Sequence, residues 1–223
     1  MTPPGVALDH LVVAARTLDE GAAWCEATLG VTPAAGGRHA LMGTHNRVFS
    51  IASPAFPRAY FEIIAIDPQA PPPGRARWFD LDSPSMQAAL ARGPQLVHWV
   101  VRCADIVARS GQLRGAGVDA GEVIAAERHT PAGLLRWRIA VRADGTRLFA
   151  GAMPTLIEWG EVHPCDTLQG SGACLESLAV AGLPDAVAAW VAVPNVAFEA
   201  NGPPLTATLS TPRGRVTLQS STL

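Results

Sequence analysis

The chain is poor in charged residues and lacks the features that mark nucleic-acid-binding proteins. Only 16% of its 223 residues are charged, against about 25% in an average globular protein, and 48% are hydrophobic. The formal net charge is −2, and no basic run is interleaved with aromatic residues, so we expect neither nucleic acid nor an anionic membrane surface as a partner. The composition instead predicts a well-folded chain with one sizeable core or two small ones.

Targeting and membrane signals are also missing. The segment MTPPGVALDH has no basic region followed by an apolar core, so we expect no signal peptide. No uninterrupted apolar run reaches the roughly 18 residues that a membrane helix needs. The four cysteines show no CxxC spacing, which favours reduced thiols and a cytoplasmic protein.

Two pairs of ionisable residues lie inside apolar, strand-like segments. His10 lies in LDHLVVA and Glu62 in AYFEIIAID, while His98 lies in QLVHWVVRC and Glu158 in TLIEWG. An ionisable group inside a strand that is apolar on both faces is unfavourable unless it is paired or bound to a metal. A lone His there is usually a satisfied core residue, and a lone Glu an edge residue or an arginine partner. The repeated order instead predicts a metal site of two His and two Glu, built by internal duplication.

The remaining pattern supports a duplication. The first half predicts a strand at 8–14, a helix opened by Thr17 and Glu20 and ended by Gly30, strands at 40–43 and 47–52 around GTHN, and a strand at 59–66. The second half predicts a strand at 95–102, a helix capped by Asp105, and strands at 121–126, 134–142 and 154–160. Both halves therefore have the order βαβββ, and the fold class is α+β.

Four segments follow from this order. They are a first module at 6–67, a Pro-rich connector at 68–94, a second module at 95–164 and a βαβββ-like extension at 174–223. The connector contains QAPPPGRARWFDLDSPS and is expected to be too polar and too broken for a core element. The extension is expected to cover a sheet edge, cap the pocket or form a homodimer interface.

The strand segments around the four ionisable residues resemble those of the vicinal oxygen chelate superfamily. This superfamily includes glyoxalase I, extradiol dioxygenases, methylmalonyl-CoA epimerase and the fosfomycin- and bleomycin-resistance proteins. More narrowly, GTHN at 43–46, EIIAID at 62–67 and IEWGEVHP at 157–164 are similar to the glyoxalase-like domain family. The resemblance spans about residues 6–164 and implies two βαβββ modules packed edge to edge, with one curved mixed sheet around one cleft.

The resemblance also implies a metal centre and a reaction type. Its ligands would be His10, Glu62, His98 and Glu158, holding one divalent ion such as Zn, Ni, Mn, Co or Fe. Glu158 would act as the base, with Glu62 as the alternative. The predicted function is a lyase, isomerase or dioxygenase acting on a small oxygen-rich molecule. The alternative is a metal-free small-molecule binding protein or a resistance-type sequestering protein. No run of basic residues suits a glutathione carboxylate, so hemithioacetal isomerisation is not supported.

Two further groups are candidate substrate-binding residues. Thr44, Asn46 and Arg47 lie in a predicted polar turn beside the pocket, although such a turn equally often satisfies its own backbone. Arg136 and Trp137 lie on a strand that would line the same cavity, although surface or core placement is as frequent. The remaining histidines are expected to face solvent or lie in a strand-end loop: His39, His45, His129 and His163.

Overall fold

The computed structural model describes residues 5–130 and 133–221. Its helices are α1 (Leu18–Leu29), α2 (Pro84–Leu90), α3 (Ile106–Gly115) and α4 (Asp185–Ala188). The strands are β1 (Ala7–Ala14), β2 (Ala34–His39), β3 (Thr44–Ser50), β4 (Tyr60–Ile66), β5 (Gln95–Arg102), β6 (Glu122–Thr130), β7 (Gly133–Val141), β8 (Thr155–Trp159), β9 (Cys174–Ala181), β10 (Val196–Glu199), β11 (Leu205–Thr211) and β12 (Gly214–Gln219). Within these ranges, no helix has the length and hydrophobicity to cross a membrane.

The two predicted modules form one curved eight-stranded sheet in the order β2-β3-β4-β1-β5-β8-β7-β6. In each module the first and last strands pair in parallel, as β1 with β4 and β5 with β8. The modules join edge to edge through the antiparallel pair β1 and β5 at the centre of the sheet. The predicted α+β fold of two paired βαβββ modules is confirmed.

Both faces of this sheet are covered, which explains why its central strands are apolar on both sides. The convex face carries α1, α3 and the C-terminal strands, which share one hydrophobic core with Leu11 and Val13 of β1. The concave face carries a second core that includes Val12 and Ala14 of the same strand. A register shift between Leu8 and His10 sets which β1 side chains face the cleft.

The Pro-rich connector is part of the concave core, contrary to the expectation that it is too polar for one. Its buried side chains are Trp78, Phe79, Leu81, Met86 and Leu90. Phe79 and Asp80 have positive φ angles of 61° and 56°, and Asp80 is held by the Arg147 guanidinium at 2.7 Å. The connector was predicted to be too polar because prolines and charged residues surround a short aromatic segment. That segment packs between the two modules.

The C-terminal extension forms a separate four-stranded sheet in the order β10-β9-β11-β12. It packs on the convex face: the rings of Trp99 and Phe198 lie 6.4 Å apart, and the Leu175 N–H donates to the Ile51 carbonyl at 2.9 Å. The extension therefore covers the face opposite the cleft and does not cap the pocket. A homodimer interface stays a prediction.

The strands around GTHN differ from the predicted ones. Strand β2 begins at Ala34 rather than at residue 40, and the turn spans residues 40–43, ending at Gly43, whose φ is 57°. Thr44 and Asn46 therefore lie within β3 and are buried, and Arg47 points to the other face. The prediction failed because residues 44–47 are polar on both faces of β3, so the segment lacks the apolar alternation that marks a strand.

Candidate functional site

A cleft of about 530 Å³, partly open to solvent, lies on the concave side of the first module. Its floor is formed by His10 of β1, Asn46 of β3, and Tyr60 and Glu62 of β4. Its walls are largely aromatic. They include Trp78 and Phe79 of the connector and Trp137 and Trp159 of the second module, and Arg128 of β6 lies at the same cavity. The mix of apolar walls with a few polar groups is typical of a small-molecule site.

Asp9 fixes the orientation of His10. Its carboxylate is fully buried and lies 2.7 Å from His10 Nδ1 and 3.0 Å from His163 Nε2, and it accepts a hydrogen bond from Trp159 Nε1 at 2.9 Å. Burial alone would raise the pKa of Asp9, but the hydrogen bonds and charges of the two histidines outweigh it and hold the pKa far below the usual range. Asp9 is therefore an acceptor, so Nδ1 of His10 carries a proton and Nε2 is left for the cleft.

Glu62 faces His10 across the floor of the cleft. Its Oε2 lies 3.6 Å from His10 Nε2, which is beyond a direct hydrogen bond but close enough for one bound oxygen atom to contact both. The Asn46 side-chain amide donates to Glu62 Oε1 at 2.5 Å, and Asn46 Oδ1 accepts from the Gly37 N–H at 2.7 Å. The carboxylate is thus fixed from one side and free on the other.

Tyr60 and His39 complete the floor. The Tyr60 ring stacks on the His10 ring at 4.4 Å, and burial together with Asp9 and Glu62 raises the pKa of Tyr60 well above its usual value. His39 Nδ1 lies 3.0 Å from Thr44 Oγ1, and burial lowers the pKa of His39 to about 4. Thr44 is therefore a partner of His39, and the expectation that His39 faces solvent is wrong.

Glu158 does not join this cleft. Its Oε2 accepts from the Ile106 N–H at 2.8 Å, at the first turn of α3, and its Oε1 accepts from Arg138 at 2.5 Å. Its neighbours Ile157 and Trp159 are the β8 residues that line the cleft, so alternation along the strand directs Glu158 to the convex side. The structure thus gives Glu158 a helix-capping position rather than the predicted position as ligand or base.

His98 lies on the concave side but in a separate cavity of about 460 Å³. Trp78 and Phe79 line both cavities and separate them, and the Phe79 and His98 rings are 4.9 Å apart. The Thr155 N–H donates to His98 Nε2 at 3.1 Å, which occupies its lone pair. Burial, and then the charge of Arg147, hold the pKa of His98 well below its usual range.

The predicted substrate-binding residues divide between the two faces. Asn46 and Trp137 line the cleft. Arg47 lies on the other face of β3, with its guanidinium 3.3 Å from the Asp19 carboxylate. Arg136 is exposed and pairs with Glu127 at 3.1 Å, because it alternates with Leu135 and Trp137, which point inward.

The residues present do not fit the predicted four-ligand metal centre. Within residues 5–130 and 133–221, no group of three or more His, Cys, Asp or Glu side chains is arranged to hold a metal ion. Of the four predicted ligands, the structure brings His10 and Glu62 together. His98 Nε2 and both carboxylate oxygens of Glu158 already accept hydrogen bonds from protein N–H groups.

Several residues at or behind the cleft were missed from the sequence. Asp9 and Tyr60 had a usable signal, since each is a polar residue in the same apolar strand as a predicted ligand. His163 was assigned to a strand-end loop but is buried, with its ring bonded to Asp9. The sequence gives no indication that Arg128 lines the cleft, because β6 alternates between exposed and half-buried residues like any edge strand.

The fold and the cleft define an α+β protein with the paired βαβββ modules of the vicinal oxygen chelate fold. The chain belongs to the glyoxalase-like domain family, whose model matches residues 8–193. The match extends beyond the two modules into the C-terminal extension. No curated protein matches the chain.

Several solved structures are similar to this chain. A hypothetical protein from Staphylococcus aureus is 17% identical, with a TM-score of 0.56, and the match covers 98% of this chain and 87% of that one. A methylmalonyl-CoA epimerase from Mycobacterium tuberculosis is 18% identical, with a TM-score of 0.41 over 71% of this chain and 90% of that one. A hypothetical protein from Bacillus halodurans is 12% identical, with a TM-score of 0.40 over 71% and 96%. The Staphylococcus aureus match shows that the fold extends over nearly the whole chain.

Proposed function

We propose that this protein is an enzyme of the isomerase or lyase type that moves a proton on a small oxygen-rich molecule bound in the first-module cleft. The observation that carries this proposal is the relation of three side chains. Asp9 holds His10 through Nδ1, and His10 presents Nε2 beside the Glu62 carboxylate at 3.6 Å. A carboxylate and an oriented imidazole that reach the same bound atom are the parts of a general acid–base pair.

The proposed step is proton transfer at a carbon next to a carbonyl group. Glu62 takes the proton from that carbon, and the electron pair of the broken C–H bond forms a C=C bond. The carbonyl π electrons move to oxygen, which takes the Nε2 proton of a His10 ring that begins the step protonated on both nitrogens. The product is an enol, with Glu62 protonated and His10 neutral. Return of the proton to a different carbon is isomerisation, and loss of a neighbouring leaving group is elimination.

The surroundings support this division of roles. Asn46 donates to Glu62 Oε1, which leaves Oε2 toward His10 as the oxygen that takes the proton. The hydrogen bond to Asp9 keeps a proton on His10 Nδ1, so only Nε2 of His10 exchanges protons with a ligand. The aromatic walls surround the pair with apolar surface, which strengthens electrostatic interactions inside the cleft.

Metal dependence stays a prediction from the family resemblance. In this cleft His10 Nε2 and the Glu62 carboxylate are the two predicted donors that face a ligand. The acid–base step above uses the same two groups directly. Dioxygenase chemistry, the third predicted reaction type, is not proposed because the arrangement of the cleft residues favours proton transfer.

The experiment is solvent-exchange NMR in D₂O with a panel of small 2-oxo acids, 2-hydroxy acids and aldehydes. The wild-type protein should catalyse loss of the C–H signal next to the carbonyl of at least one compound. His10→Asn should slow that exchange by about 10²-fold or more, the usual contribution of an acid–base group. His129→Asn, at an exposed position of β6, is the matched control and should exchange at the wild-type rate.

Two outcomes would contradict the proposal. One is exchange that persists unchanged in His10→Asn. The other is saturable binding of panel compounds with no exchange of any of them, which would favour the alternative of a binding or sequestering protein. The same exchange measured after treatment with EDTA tests the metal prediction, and the step as written predicts no loss of rate.

A further inference from the structure

At the edge of the cleft lies an arginine with two nitrogen atoms that have no hydrogen-bond partner among the described residues. Arg128 is a cleft-lining residue of β6, on the opposite module from Glu62. Its Nε and Nη1 atoms are shielded from solvent and donate no hydrogen bond to any described residue. Burial lowers the pKa of Arg128, and the nearby Tyr60 and Glu62 partly oppose this effect. A guanidinium whose buried N–H groups lack acceptors is unfavourable unless a ligand supplies them.

The surrounding backbone leaves space for this guanidinium. Gly37 of β2 lies directly against it, and a Cβ atom at Gly37 would overlap Arg128 Nη1. The neighbouring Gly36 leaves space in the same way for the Asn46 side chain. Two adjacent glycines in β2 thus permit two polar side chains of the cleft to take their positions.

We infer that Arg128 binds a carboxylate of the ligand, so that the substrates of this protein are small carboxylic acids. A carboxylate oxygen supplies the acceptor that these N–H groups lack, and the charge of the guanidinium favours it over a neutral acceptor. Glu62 is already bonded to Asn46 and forms no ion pair with Arg128, so it stays free for chemistry. The rings of Trp78, Phe79, Trp137 and Trp159 provide flat apolar walls for the remainder of the molecule.

This inference deepens the proposed function and rests on it for the role of the bound molecule. With its carboxylate at Arg128, a ligand spans the cleft from β6 toward the floor strands β1 and β4, which carry His10 and Glu62. In a 2-oxo acid the ketone lies next to the carboxylate, and the carbon that gives up its proton, C3, lies on the far side of the ketone. Recognition of the carboxylate and proton transfer between C3 and the ketone oxygen are then performed by residues of different modules.

The test is a binding measurement that does not depend on turnover. Benzoate and its neutral analogue benzamide have nearly the same shape and differ in charge. We expect benzoate to quench the tryptophan fluorescence saturably and to bind about tenfold or more tightly than benzamide, as expected for charge-assisted hydrogen bonds. Arg128→Met should lose this preference. The matched control Arg136→Met, an exposed arginine on the neighbouring strand, should keep it.

A second variant tests the same inference without removing the arginine. Gly37→Ala displaces the flexible end of the Arg128 side chain, so we expect it to weaken benzoate binding and to leave benzamide binding nearly unchanged. Equal affinity of the wild type for benzoate and benzamide, no binding of benzoate, or a preference that survives in Arg128→Met would overturn the inference.

A negative result in the binding test can be distinguished from a negative result in the exchange test. His10→Asn removes the proposed acid and should keep the benzoate preference, because Arg128 is unchanged. A protein that prefers benzoate but exchanges no C–H proton would retain the carboxylate site and lose the proposed reaction. A protein that exchanges protons of aldehydes and carboxylic acids at equal rates, with no benzoate preference, would retain the reaction and lose the carboxylate site.

Discussion

Thr155, not Glu158, is the second-module counterpart of Glu62. His10 and His98 are each the fourth residue of an eight-residue strand. Two residues further along, Val12 pairs with Glu62 and Val100 pairs with Thr155. Thr155 Oγ1 lies 3.0 Å from His98 Nε2, at the place where the Glu62 carboxylate lies near His10. The first module therefore places a carboxylate beside its strand histidine, and the second places a hydroxyl and a backbone N–H beside its own.

Replacement of Asp9 by Asn tests the network behind His10. The amide presents a donor where the carboxylate accepts from three groups, so one partner loses its acceptor in a buried site. We expect Asp9→Asn to lower the free energy of unfolding by about 3 kcal/mol, the usual effect of breaking a buried charged network. Urea denaturation followed by tryptophan fluorescence measures this change.

Asp19→Asn is the control for that experiment. Asp19 pairs with Arg47, but its side chain is 94% exposed, so its replacement should have a small effect on stability. A similar loss for the two variants, or a loss well under 1 kcal/mol for Asp9→Asn, would show that the network contributes little.

The buried His98 predicts acid sensitivity of the fold. Its folded-state pKa is held well below the value of about 6.5 that it has in the unfolded chain. Below pH 6.5 the unfolded chain takes up a proton that the folded chain does not, so stability is present at neutral pH and falls as the pH decreases. One such group contributes a slope of at most about 1.4 kcal/mol per pH unit.

His98→Gln should therefore lose less stability than the wild type between pH 7 and pH 5 in urea denaturation. The comparison uses the change with pH, because the substitution also alters stability at neutral pH. His129→Gln, at an exposed position, should keep the wild-type slope. Equal slopes for His98→Gln and the wild type would indicate that His98 titrates normally in the folded protein.

Phe79 separates the two cavities, and its removal tests that arrangement. We expect Phe79→Ala to lower the free energy of unfolding by about 3–5 kcal/mol, because it leaves a cavity in the concave core. Phe149→Ala is the matched control, since Phe149 also has a positive φ angle, of 51°, but is 41% exposed. Its loss should be much smaller, and equal losses would contradict a packing role for Phe79.

The sequence predicts the fold better than it predicts the site. The order βαβββ follows from hydrophobic runs and caps such as Thr17, whose Oγ1 accepts from the Glu20 N–H at 3.1 Å. The sequence could not show which face of β8 carries the Glu158 side chain. Leu156 and Ile157 point to opposite faces of this strand, and both are buried. A strand that is apolar on both faces carries no alternation that distinguishes the cleft side from the helix side.

The spacing between His and Glu in each half led to the wrong assignment of Glu158 for a related reason. Glu62 follows His10 by 52 residues and Glu158 follows His98 by 60, which suggested equivalence. The strand register gives the equivalent position to Thr155, three residues earlier, and a shift by an odd number of residues reverses the face. The aromatic insertion at Trp78 and Phe79 was hidden by the prolines and charges around it.

The central claim is that Glu62, and not Glu158, moves the proton. The most direct measurement is the rate of C–H exchange in D₂O for Glu62→Gln and Glu158→Gln, each compared with the wild type on the same substrate. The account predicts a loss of about 10²-fold or more for Glu62→Gln and a rate near that of the wild type for Glu158→Gln, in which the amide still caps α3. Full exchange by Glu62→Gln, together with its abolition in a folded Glu158→Gln, would contradict the account.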